Sequence, residues 1–180
     1  MHQNTLWVRY PVDTSSHSSS NDMKDISITV PVKSLSYSEL DDSRRRLVDL
    51  AREYTHNSYA PYSHFHVGAA IRLDNDEIVC GANQENAAFP SGTCAERSAC
   101  FSAGARFPKA KFEAIAIAAR GVDGEEIANP CAPCGACRQA LLEYEMLAGH
   151  DVEVLLVGKD VIYILPSVKS LLPLAFTEIV

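Results

Sequence analysis

Alternation of apolar and polar positions opens the interpretable part of this chain. Ile26, Ile28 and Val30 alternate with polar residues and predict a short half-buried strand, stopped by Pro31. Ser38-Glu39-Leu40-Asp41 is a helix start, with acids in its first turn. Leu40, Leu47, Leu50, Ala51 and Tyr54 then recur at helical spacing and predict a helix over 39–56, ended by Asn57-Ser58-Tyr59-Ala60-Pro61. Strands follow at 66–73 and 77–83, joined by a turn at Asp74-Asn75-Asp76. A helix from near Cys94 carries Ala95, Ala99, Cys100 and Ala103 and stops at Gly104 and Pro108. Phe112 to Ala119 is a continuous apolar run, which suits a strand buried on both faces. Gly135 to Leu147 reads as a helix, Val152 to Val157 and Val161 to Leu165 as strands, and Ser167 to Phe176 as a short helix or turn. This order predicts an α/β three-layer sandwich, with a five-stranded mixed sheet flanked by helices.

Residues 1–22 break the pattern. The run Thr14 to Ser20 has no apolar face and cannot repay its ordering entropy, so a disordered leader is expected there. Met23 is the expected natural first residue, and 23–180 a single domain. The 180 residues suffice for one sizeable core, and 47% hydrophobic with 22% charged residues is a globular balance. No apolar run approaches the roughly 20 residues of a membrane span. The net charge of −7 argues against a nucleic-acid partner, which calls for a basic face, and for a small molecule. Six cysteines without a secretory leader pattern point to a reduced, cytoplasmic protein whose thiolates are free to bind metal.

Two short stretches carry the chemistry: Thr93-Cys94-Ala95-Glu96-Arg97 and Pro133-Cys134-Gly135-Ala136-Cys137-Arg138. Cys94, Cys134 and Cys137 would fill three positions around Zn²⁺ and leave the fourth open, as a catalytic zinc requires. Both stretches fall at predicted helix N-termini, whose partial positive charge and free N–H groups favour thiolates. Glu96 is close enough to Cys94 to reach a water without binding the metal, and can act as general acid and base. Arg97 can offset the excess thiolate charge. Cys134 and Cys137 alone also fit a redox pair, or half of a structural zinc site completed by Cys94 and Cys131. That alternative leaves Glu96 and the stretch Asn83-Gln84-Glu85-Asn86 without a role. Cys80 and Cys100 read as core residues, His64 and His66 as surface residues, and Arg44-Arg45-Arg46 as a solvated helix face.

A Cys-x-Glu stretch followed by Pro-Cys-x-x-Cys is the signature of zinc deaminases. With Pro61-Tyr-Ser-His-Phe-His-Val-Gly-Ala, Asn83-Gln-Glu-Asn and Leu171-Leu-Pro-Leu-Ala-Phe in the same order, the chain resembles cytidine deaminase over about 39–178, and more narrowly its short homotetrameric branch with three cysteine ligands. The resemblance implies hydrolysis of cytidine and deoxycytidine to uridine and deoxyuridine with release of ammonia, a step of pyrimidine salvage in which zinc-activated water attacks C4. It makes Cys94, Cys134 and Cys137 the zinc ligands and Glu96 the proton shuttle. Asn83 and Glu85 resemble the pair that hydrogen-bonds the ribose hydroxyl, and Phe65 the aromatic that packs on the pyrimidine. By the same resemblance, the backbone at Ala95, along with Glu96, recognises the exocyclic amine and the ring nitrogen. Phe89 and Phe176 match aromatics brought into the pocket, partly from neighbouring subunits of a tetramer with shared active sites; Phe89 stands where the family commonly has Tyr. Deaminases acting on nucleic acid usually have His in place of Cys94 and need basic surface. Blasticidin-type deaminases also use three cysteines, on a substrate with no matching ribose diol. A zinc-stabilised binding module without activity would leave Glu96 idle.

Overall fold

The computed structural model describes residues 26–177. The expected leader 1–22 and the expected start at Met23 lie outside them. Helix α1 spans Asp42–Tyr54, capped by Asp41, whose carboxylate accepts the Arg44 N–H at 2.8 Å. The chain then forms strands β2 (His66–Leu73) and β3 (Ile78–Ala82), helix α2 (Ala95–Arg106), strand β4 (Phe112–Arg120), helix α3 (Gly135–Ala148), and strands β5 (Glu153–Val157) and β6 (Ile162–Leu165). A short strand β1 (Lys33–Leu35) precedes them all. The six strands form one sheet in the order β1-β6-β5-β4-β2-β3. All pairs are antiparallel except β4 with β5, which are parallel and connected through α3.

The sheet therefore has six strands and not the expected five. The sixth is not the predicted Ile26–Val30 segment either, since Ile26 is 87% exposed and no strand forms there. Pairing starts after Pro31, where Lys33, Ser34 and Leu35 face Ile164, Tyr163 and Ile162 of β6. Proline has no N–H to give a ladder, so the strand begins beyond it. The predicted helix 39–56 divides into α1 and single 3₁₀ turns at Tyr37–Glu39 and Thr55–Asn57.

Side chains alternate across the sheet and separate two cores. Ile115, Ile117, Val154 and Leu156 face α2 and α3, with Ala99, Cys100, Leu141 and Leu142 packed on them. Ala114, Ala116, Ala118, Leu155 and Val157 face α1 and its Leu47, Val48 and Ala51. The alanines of β4 let α1 lie close to the sheet. Gly68 shows how close, because a Cβ there would sit 2.1 Å from the Ala51 carbonyl oxygen. The result is the expected α/β three-layer arrangement. Arg44 departs from the solvated face expected of Arg44–Arg46: its Nη2 meets Glu153 at 2.7 Å, linking α1 to β5.

One end of the sheet collects the segments of interest. His66 pairs with Arg120 and Gly68 with Ala82, so the start of β2 and the ends of β3 and β4 lie together. Helices α2 and α3 follow β3 and β4, so both begin at that end.

Candidate metal centre

Cys94 and Cys134 are the N-cap residues of α2 and α3, and Cys137 lies in the first turn of α3. Their sulfur atoms are all within 4.8 Å of one another. Cys94 Sγ to Cys134 Sγ is 4.0 Å and Cys134 Sγ to Cys137 Sγ is 3.5 Å. Tetrahedral zinc with Zn–S bonds of about 2.3 Å requires sulfurs about 3.8 Å apart, so three thiolates in this arrangement fit the ion. Among the described residues this is the one such group of three or more metal-ligating side chains. Cys131 is outside it, and its thiol donates to the Ala132 carbonyl at 3.7 Å. The four-cysteine alternative is therefore not assembled.

The cluster is held by packing behind α2. Gly81 of β3 allows this, because a Cβ there would come within 2.4 Å of Ala99 N and 2.6 Å of Ala95 O. The segment before Cys94 is fastened by two hydrogen bonds, Gln84 N–H to Thr93 O and Thr93 N–H to Gln84 O, both 2.9 Å. On the other side, Arg138 donates from Nε to the Pro133 carbonyl at 2.8 Å and from Nη1 to Leu171 O at 2.7 Å. These bonds set the loop ahead of Cys134. The expected partners thus come from two helix starts, and their spacing depends on Gly81, which the sequence does not single out, and on Gln84 and Arg138, which stand in the quoted stretches without a role of their own.

Charge in the cluster is distributed unevenly. A hydrogen bond from the Cys137 thiol, helped by the Arg97 guanidinium and Cys134, brings Cys94 down to about 5 against the effect of burial. Cys137, donor to that thiolate, is pushed up. Arg97 Nη2 lies 3.9 Å from Cys94 Sγ and donates towards it. A dication binding here would displace the remaining thiol protons. Cys80 and Cys100 behave as core thiols, pushed by burial to about 11 and about 12.

Glu96 is 4% exposed, in the first turn of α2. Burial raises its carboxyl above the ordinary range, and the Cys94 thiolate adds to this; its own N–H and the Cys137 thiol act the other way. Ala95 is fully buried beside it.

Asn83 and Glu85 follow β3 and frame the loop ahead of β2. Asn83 Oδ1 accepts the Val67 N–H at 2.7 Å, and its Nδ2 donates to the Phe65 carbonyl at 2.9 Å. Glu85 Oε2 accepts N–H groups from Tyr62 at 2.9 Å and Ser63 at 3.2 Å, and Oε1 accepts the Ser63 hydroxyl. These donors, the Ser63 hydroxyl first, hold the Glu85 carboxyl below its usual range. Phe65 is half-buried in the same loop. Phe89 and Phe176 stand out into solvent, 84% and 67% exposed, and the Phe176 carbonyl accepts from Gln139 Nε2 at 2.8 Å. His66 is tied through Nδ1 to the Ser58 hydroxyl at 2.6 Å, and His64 is exposed.

Residues 41–148 match the family model described as the cytidine and deoxycytidylate deaminase zinc-binding region. A cytidine deaminase of Halalkalibacterium halodurans is 37% identical over 136 residues, covering 74% of this chain and 94% of that protein. The crystal structure of cytidine deaminase from Burkholderia pseudomallei is similar with a TM-score of 0.61 and 38% identity, over 73% of this chain and 97% of that one. The structure of the Mycobacterium tuberculosis cytidine deaminase gives a TM-score of 0.60 at 28% identity, over 77% of this chain and all of its own, 100%. The fold, the three gathered thiols and these similarities agree: the chain belongs to the cytidine deaminase family, with its zinc-binding region.

Proposed function

We propose that this chain hydrolyses cytidine and deoxycytidine to uridine and deoxyuridine and releases ammonia. The observation that carries the reading is the buried Glu96 carboxyl next to three thiols spaced for zinc. Cys94, Cys134 and Cys137 hold the ion, and Arg97 donates to Cys94 so that three thiolates do not leave the centre overcharged. Zinc in such a site is a Lewis acid that lowers the pKa of water towards about 7.

The remaining work falls to the protein. Glu96 takes a proton from the water whose oxygen joins C4. It delivers that proton to the ring nitrogen beside C4, then takes the second proton from the oxygen now on C4 and passes it to the exocyclic amine as the C–N bond breaks, leaving a carbonyl and ammonia. A carboxyl raised by burial suits this double use, because a group that must both take and give protons works best with a pKa near the operating pH. The backbone at Ala95 recognises the exocyclic amine. Phe65 packs on the pyrimidine face. Asn83 and Glu85 read a sugar hydroxyl. Each keeps unused valence for this: Asn83 has spent one donor and one acceptor, and Glu85 three of about four acceptor positions.

Phe89 and Phe176 reach a pocket only if a neighbouring subunit meets them, and the proposed assembly is a homotetramer with shared sites. Their exposure in the single chain supports it, since two large aromatics gain by being covered. The proposed location is the cytoplasm, and the proposed functional unit is a single deaminase domain over 23–180. Among the described residues, no helix is long and apolar enough to cross a membrane.

The test is ammonia release from purified protein given cytidine, deoxycytidine, free cytosine and blasticidin S, with zinc measured on the same sample. Turnover of the two nucleosides but not of the bare base supports both the zinc chemistry and sugar reading. Turnover of blasticidin S alone, or about one zinc per chain with no turnover of any of the four, refutes the proposed substrate.

A further inference from the structure

Ser63 occupies the tightest part of the loop before β2, one residue ahead of His64, whose φ is +53°. Its hydroxyl is hydrogen-bonded on both sides. It donates to Glu85 Oε1 and accepts the Phe65 N–H at 3.1 Å. Its own N–H, with that of Tyr62, donates to Glu85 Oε2. The Phe65 backbone is thereby held at both ends, its N–H by Ser63 and its carbonyl by Asn83. One hydroxyl links the carboxylate proposed to read the sugar to the residue proposed to pack on the base.

We propose that Ser63 is a positioning residue for nucleoside recognition, turning the Glu85 carboxylate so that its last acceptor direction meets a sugar hydroxyl and registering Phe65 against the base in the same step. This rests on the reading of Glu85 as a sugar reader. A carboxylate with three of its acceptor positions filled by fixed donors cannot rotate without breaking one of them, so its remaining lone pair has a defined direction. Without the Ser63 hydroxyl the carboxylate is held on one oxygen only and the Phe65 N–H loses its partner. Binding of the sugar is then weakened, while the cysteines and Glu96, on other segments, keep their places.

Steady-state kinetics and zinc content of Ser63→Ala, Ser63→Thr, Glu85→Gln and the Ser63→Ala/Glu85→Gln double variant test this. The substrates are deoxycytidine and its analogues lacking the 3′-hydroxyl or the 5′-hydroxyl, since both of those groups are common to the two proposed nucleosides. Ser63→Ala is expected to raise KM for deoxycytidine about 10- to 100-fold, the range of a charge-assisted hydrogen bond, with kcat within about twofold and zinc unchanged. Ser63→Thr, which keeps the hydroxyl, should recover most of the loss. The Ser63→Ala penalty should vanish on the same analogue on which the Glu85→Gln penalty vanishes, and the double variant should be little worse than Glu85→Gln. If Glu85→Gln raises KM but Ser63→Ala does not, Ser63 has no positioning role and the sugar reading stands. If Glu85→Gln changes nothing, the sugar reading itself fails. An equal Ser63→Ala penalty on every analogue means a general effect on the loop, and overturns the proposal. Should Ser63→Ala not fold, Ser63→Cys, a weaker donor in the same place, must raise KM, and a Cys variant at the wild-type KM overturns it equally.

Discussion

Glu96 is a carboxyl with almost no access to water, in the first turn of a helix whose N-cap is a thiol drawn towards thiolate. Burial of an acid costs stability, and such placement is found where the raised pKa is used. Glu96→Gln keeps the shape and removes the exchangeable proton. It is expected to leave zinc content and fold unchanged and to lower kcat by at least about 10²- to 10⁴-fold, the range of acid–base catalysis. Metal analysis beside single-turnover kinetics checks it, and a variant of near wild-type rate means that another group moves the proton. Asn83 differs in kind, because its amide is bonded on both sides to the backbone of β2 and the loop before it. Asn83→Ala should therefore raise KM while sparing the metal, and zinc lost in proportion to activity would make Asn83 structural only. Cys94, Cys134, Cys137, Glu96 and Arg97 were legible in the sequence because each lies within a few residues of a partner. The bonds from Tyr62 and Ser63 to Glu85 were not, since these two residues, though inside a quoted block, are 23 and 22 residues from the carboxylate they hold.

At the scale of elements, the site is as good as the packing of α2 on β3. Gly81→Ala would place a methyl against the α2 backbone at Ala95 and Ala99, atoms that cannot turn aside. The helix must lift, at a cost of about 1–3 kcal/mol, the usual range for overpacking, and Cys94 must move with it. A lower denaturation midpoint together with weakened zinc retention is expected; an unshifted midpoint would show that α2 has room to spare. The start of α1 gives a pH prediction. The Arg44 N–H, the largest influence on it, holds the Asp41 carboxyl below its ordinary value. A carboxyl depressed in the folded state stabilises that state above its unfolded pKa of about 3.9, and the contribution is lost as pH falls through the folded value. Asp41→Asn keeps a cap acceptor without that titration, so melting temperature below about pH 4 should fall less steeply than in the parent. The predicted strand at Ile26–Val30 shows what periodicity lacks. Alternation says which side chains would share a face, but a strand also needs an edge with free N–H and C=O groups. β6 offers that edge to Lys33–Leu35, beyond Pro31.

At the scale of the molecule, bound zinc would join the starts of α2 and α3, two helices packed side by side on one face of the sheet. Chelation should lower the melting temperature as well as abolish activity, because an ion bound only by the folded state stabilises it by mass action. Restored zinc should return both, and a melting temperature indifferent to chelator would place the ion outside the folding balance. Sedimentation should give a mass of about four chains, and a monomer with full activity would contradict shared sites. The sequence by itself determined the class of fold, the two helix starts that carry thiols, the carboxyl beside them and the family they belong to, because these depend on spacing within a few residues and on the alternation of faces. Only the tertiary structure decided that the strand next to β6 lies beyond Pro31, that Cys131 stays out of the cluster, that Arg44 spans to Glu153, and that Asn83 and Glu85, expected as readers of a sugar hydroxyl, also hydrogen-bond the loop before β2. Each of these is a contact between distant segments, and local pattern has no access to which distant partner wins a hydrogen bond or an edge.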